Sequence, residues 1–171
     1  MGGEKDTLDR ESAAVSLKVN SMETIIAYLA GAIDLDGFIR ISRIPRLSDG
    51  KRYRYTPAIG LTDVSPIIPD LLQEHFAGSR STYLPKKSGE LPVHGWEASG
   101  RTTRQPLLRF LPHLRIKRRQ AELALELLEA LRHQQSTPSV APAAAQEEAM
   151  ARLFEEWRKI TPSRRRRKER V

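Results

Sequence analysis

The chain has 171 residues, 29 Lys and Arg against 21 Asp and Glu, a formal net charge of +8 and no cysteine. That length allows one domain with a full core plus tails, and the missing thiols exclude a disulfide framework or thiolate metal site and fit a reducing, intracellular setting. The polar N-terminus lacks a secretory apolar stretch, the run Ile25–Ile33 is too short to cross a bilayer, and Asp6 stands where a myristoylation signal needs Ser or Thr, so the expectation is a soluble protein with a polyanionic partner.

Residues 1–20 are polar and mixed in charge and read as an arm with little fixed structure. Ser21 is a helix cap, with Thr24 at box spacing, and the helix it opens runs from about Met22 to Asp34. Its end is unusual. Residues 29–37 read Leu-Ala-Gly-Ala-Ile-Asp-Leu-Asp-Gly, which sets two carboxylates in the last turn, where the helix already carries partial negative charge. Gly37 is expected as a left-handed stop. A cation should answer the two acids, with a divalent metal the obvious candidate. On a helix Asp34 and Asp36 diverge by about 200°, so one faces a site and the other does structural work. The plainer alternative is a core helix whose Ala27, Ala30 and Gly31 permit close packing, with the acids merely closing the turn.

From Phe38 the apolar period becomes two. Ile39 and Ile41 alternate with Arg40 and Ser42, Ser48-Asp49-Gly50 signals a turn, and a second alternating run spans Lys51 to Thr62. Residues 38–62 hold Arg40, Arg43, Arg46, Lys51, Arg52 and Arg54 against Asp49 alone. The alternation gathers arginines on one face of a hairpin. Ser65 and Pro66 open a second helix, with Ile67, Ile68, Leu71, Leu72 and either His75 or Phe76 on its apolar side, which ends at Gly78. Two shorter strands follow, about Ser79–Lys86 and Val93–Ala98. A helical region from Thr102 to Leu114 is broken at Pro112, and an amphipathic helix covers Lys117 to His133. Residues 134–145 read as a linker, 146–160 as a last helix with Met150, Leu153, Phe154 and Trp157 on one stripe, and 161–171 as a basic tail. The tail suits nonspecific contact with DNA flanks or a solubilising end.

The order of helix, hairpin, helix, hairpin and helices predicts an α+β fold with helices on one face of an antiparallel sheet. The other face is left basic, and two-stranded ribbons of this kind fit the DNA major groove.

The string at 29–37 resembles the signature of the LAGLIDADG homing endonucleases, departing at Ala32 and Leu35. Leu111-Pro-His-Leu-Arg-Ile-Lys-Arg-Arg-Gln-Ala-Glu-Leu123 resembles the stretch before that family's last core helix, and Val93-His-Gly-Trp-Glu-Ala-Ser99 its fourth strand, with Trp96 turned to the core. The resemblance covers residues 21–133 and implies a single-motif αββαββα-like fold with a saddle-shaped sheet. One motif copy implies a homodimer whose motif helices pack together through Ala27, Ala30 and Gly31. It implies a site-specific DNA endonuclease making metal-dependent double-strand breaks at a long pseudo-palindromic target. Asp36 would be the catalytic acid and Mg²⁺ (or Mn²⁺) ligand, with the Leu35 carbonyl a further ligand and Asp34 a supporting acid. Lys117 matches the lysine near the active-site water; outside the resemblance it reads as one more solvent-facing cation. Asp63, where the family often has a polar or amide residue, would orient water or else cap the next helix. DNA contacts would come from Arg40, Ser42, Ile44, Arg46, Arg52, Arg54, Thr56 and Gly60, joined on the second strand pair by Arg80, Thr82, Lys86 and Glu97. The rival readings are an RNA maturase and a cleavage-inactive DNA-binding regulator.

Overall fold

A computed structural model describes residues 22–45, 53–85, 89–136 and 142–161. Helix α1 spans 22–35 and leads directly into strand β1 (Phe38–Pro45), which pairs antiparallel with β2 (Tyr53–Asp63). Helix α2 (Ile67–His75) connects to β3 (Ser79–Tyr83) and β4 (Val93–Ser99). A 3-10 turn at Gly100–Thr103 opens α3 (Arg104–Phe110), and α4 (Arg118–Ser136) and α5 (Pro142–Ile160) complete the chain. The sheet has four antiparallel strands in the order β1-β2-β4-β3. No helix among the described residues is long and apolar enough to cross a membrane.

The sheet is two-faced because its strands alternate. Register pairs Ile39 with Ile59 and Leu61 with Trp96, so these side chains share one face with the helices. There they pack with Ile26, Leu29, Ala30 and Ile33 of α1, Leu72 of α2, Phe110 of α3 and Ala121, Ala124 and Leu128 of α4. Trp96 is buried at the centre of this core, in aromatic contact with Phe76, as its expected packing role requires. Burying side chains of this size stabilises by about 1.5–3 kcal/mol each.

A second cluster joins α5 to the hairpin. Ile41, Tyr55, Leu127 and Met150 are buried together, with Leu153, Phe154 and Trp157 packed against them. The last helix therefore starts earlier than the expected 146, at Pro142, and docks on β1, β2 and α4 rather than standing apart. Correspondingly α4 continues to Ser136, through the first residues of the expected linker.

Gly37 differs from expectation in its reason. Its φ is not positive, so it is no left-handed stop. Instead a Cβ there would lie 2.7 Å from the Ile33 Cα and 2.9 Å from the Gly60 carbonyl oxygen. Only glycine lets the chain leave α1 so close to β2.

Candidate functional site

The end of α1 and the start of α4 meet, and Asp34 and Lys117 join them. The Asp34 carboxylate is 6% exposed and accepts the backbone N–H groups of Arg115 and Ile116 at 2.8 and 2.9 Å and of Lys117 at 2.7 Å. It thereby fixes the bend at 115–117 that leads into α4 and places a negative charge at the helix's positive end. Burial raises its pKa, but the three amides and the nearby Lys117 charge outweigh that and hold it below the usual carboxylate value. Lys117 answers in the opposite sense. Its Nζ donates to the backbone carbonyls of Asp34 and, at 3.3 Å, of Leu35. The cation called for at the end of α1 is present in the chain itself. Burial lowers the Lys117 pKa, against the opposing pull of Asp34 and Asp36.

Asp36 is exposed, just past α1, while its N–H still bonds the Ala32 carbonyl at 2.9 Å. The two acids are thus divided as helix geometry demands, Asp34 inward and Asp36 outward. Leu35 is 71% exposed, and its carbonyl is shared with Lys117. Among the described residues no group of three or more His, Cys, Asp or Glu is placed to hold a metal ion. What this end of the chain offers is an exposed carboxylate and peptide carbonyls, all hard oxygen donors. That set fits Mg²⁺ or Mn²⁺ only as part of a larger shell of water and phosphate oxygens.

Asp63 ends β2, at the same end of the sheet where β1 begins. Its Oδ1 accepts the Ser65 N–H at 3.1 Å, and Ser65 Oγ in turn accepts the Ile67 N–H at 3.4 Å. The carboxylate closes the turn into α2, the structural alternative allowed by the sequence.

Among the described residues nothing covers the outer face of α1. Tyr28 is 58% exposed, and a Cβ on Gly31 would meet nothing within 4 Å. With half-buried Ala27 and exposed Leu35 they form an apolar strip ending at Asp36. Ala30, expected on this strip, is instead wholly buried in the chain's own core.

Among the described residues nothing covers the sheet face away from the helices. Arg40, Ser42 and Ile44 lie on it opposite Ala58, Thr56 and Arg54, as the alternation predicts. Arg46, Arg52 and Lys86 fall outside the described residues. Four placements need correction. Arg80 pairs with Trp96 in register and so lies on the helix side, where its Nε donates to Asp70 Oδ1 of α2 at 2.7 Å. Thr82 shares that side, with Oγ1 3.1 Å from His94 Nδ1. Gly60 is on the open face but buried, because the Phe38 ring lies over it, 2.7 Å from where a Cβ would be. Arg43 also leaves the arginine face, stacking on Tyr53 with its guanidinium 3.7 Å from the ring centroid and facing Glu155 of α5.

In their place Phe38, Ser79, Ser81 and Tyr83 reach the open face and line a shallow cavity of about 220 Å³ with Thr62, Gly95 and Glu97. Taking Trp96 as a core marker gives the face of every β4 residue, but the face of β3 needs the pairing register. Glu97 is on the open face as expected and binds Arg40, Oε1 to Nη2, at 2.6 Å.

No family model and no curated protein matches this chain. Solved structures do. The homing endonuclease I-CvuI, in complex with its target in the presence of Ca, is 20% identical, covers 83% of this chain and 85% of its own, and superposes with a TM-score of 0.62. The archaeal intron-encoded homing endonuclease I-Vdi141I, complexed with DNA, gives 16% identity, coverage of 81% and 84%, and a TM-score of 0.63. The group I intron-encoded I-CeuI, also complexed with DNA, gives 15%, 91% and 81%, and 0.58. The strand order, the motif helix running into β1 and these likenesses together show that the chain has the fold of the LAGLIDADG homing endonucleases.

Proposed function

We propose that this protein is a site-specific DNA endonuclease that acts as a homodimer and makes metal-dependent double-strand breaks at a long pseudo-palindromic target. The observation that carries the reading is Asp36. An exposed carboxylate stands where α1 passes into β1, beside the Lys117 ammonium and at the margin of an uncovered sheet face. Homing endonucleases of the same fold are held on DNA, I-CvuI in the presence of Ca or Mg.

In this account the open face, with Arg40 and Arg54, lies along the DNA groove and aligns the duplex with the ends of two α1 helices. The strip Ala27-Tyr28-Gly31-Leu35 packs against its copy, which brings one Asp36 from each chain to the two strands. Asp36, with backbone oxygen from Leu35, would hold Mg²⁺ or Mn²⁺ together with phosphate and water oxygens. Such an ion, when bound, supplies Lewis-acid stabilisation and lowers the pKa of water. Lys117 offsets negative charge developing at the phosphate, and Asp34 fixes Lys117 by accepting its backbone N–H at the entry to α4. Asp63 contributes by shaping the turn beside the site.

The test is a cleavage selection from a randomised duplex library with Mg²⁺ or Mn²⁺. One long, roughly two-fold symmetric site cut on both strands supports the reading. Sequence-selective binding without cutting favours the regulator, and selective binding of structured RNA the maturase.

A further inference from the structure

Glu97 is out of place on a surface meant for a polyanion. It stands on the open face of β4, and across β2 its carboxylate holds Arg40 of β1 at 2.6 Å. The two side chains reach each other over Ala58 and Gly60, the β2 residues opposite Arg40 and Glu97, where larger side chains would block the path. The guanidinium also lies 4.8 Å from the Phe38 ring centroid. Both partners are substantially exposed, at 48% and 37%, and an exposed pair of this kind adds little stability. What it does is fix the direction of an otherwise mobile arginine.

Resting on the nuclease reading above, we infer that Arg40, oriented by Glu97 and Phe38, reads a guanine in each half-site. A phosphate contact would not need Glu97, whose charge repels the backbone. A fixed guanidinium fork matches guanine, which presents O6 and N7 side by side in the major groove. Glu97 occupies one Nη and leaves the rest of the fork for the base edge. Pinning the fork beforehand also removes ordering cost on binding. The guanine belongs to the inner part of the half-site. Arg40 is the third residue of β1, close along the chain to Asp36 at the end of α1.

The experiment is binding selection on a randomised duplex library, base preference being scored position by position for the full chain and for the R40A, R40K and E97Q variants. Wild type should select guanine at one inner position of each half-site. R40A and R40K should lose that preference, roughly five- to a hundred-fold per half-site, with neighbouring positions unchanged. R40K keeps the charge and loses the fork, so it separates reading from attraction. E97Q should weaken the same position selectively. A wild type with no sequence preference overturns the nuclease reading itself. A selective wild type whose guanine preference survives R40K, or whose loss in E97Q is not matched in R40A, overturns this inference alone.

Discussion

Asp34 and Lys117 tie two helix ends together with opposite polarity. The Asp34 carboxylate accepts three amides before α4, and the Lys117 ammonium donates to the carbonyls at the end of α1. Each charge meets the pole of a helix that favours it. Asp34→Ala leaves three amides without their acceptor and should cost about 3 kcal/mol or more in urea denaturation. A loss under about 0.5 kcal/mol would show that the carboxylate is not holding the two helices.

The same carboxylate sets an acid limit. Its folded-state pKa is depressed, so its stabilisation is complete above the unfolded value of about 3.9 and is lost as pH falls through the folded one. Stability measured from pH 6 downward should therefore fall below about pH 4, and Asp34→Asn should flatten part of that slope. An identical slope in the variant would contradict this assignment.

Gly31 separates fold from assembly. The space beside it is open within one chain, and alanine favours a helix by about 1 kcal/mol. Gly31→Ala should raise the stability of the single chain and weaken self-association, read by denaturation and sedimentation equilibrium. Unchanged association would remove this strip from the proposed dimer interface.

Arg54 and Arg80 test which sheet face meets DNA. Arg54 is exposed on the open face, whereas Arg80 is bound to Asp70 on the helix side. Arg54→Ala should weaken DNA binding and lower the slope of log affinity against log salt by about one. Arg80→Ala should leave both nearly unchanged. The reverse pattern would turn the molecule over.

The architecture is legible in the sequence because the apolar period changes from helical to alternating at Phe38 and because Trp96 marks the core side of β4. That Asp34 and Asp36 point apart is legible from helix geometry alone, whereas which of them turns inward is given only by the resemblance. Other features depend on contacts that no local pattern carries. Arg80 and Thr82 change face because a shift of one residue in strand register inverts every side chain. Arg43 is set on the helix side by the alternation itself, in step with Ile39 and Ile41 and opposite Tyr55, and only its place beside Phe154 requires α5 to be docked. Gly37 looks like a helix stop, but the constraint is the lack of room between the Ile33 backbone and the Gly60 carbonyl across the sheet. That Lys117 is the cation at the end of α1 follows only once α4 is packed beside it.

The most direct measurement compares wild type and Asp36→Asn on the DNA site selected by the wild-type protein, with binding and cleavage assayed separately in Mg²⁺. Asp36 is exposed, so the variant should fold within about 0.5 kcal/mol of wild type. It should bind the site with similar affinity and cut neither strand. An Asp36→Asn protein that still cleaves both strands at the wild-type rate would contradict the account.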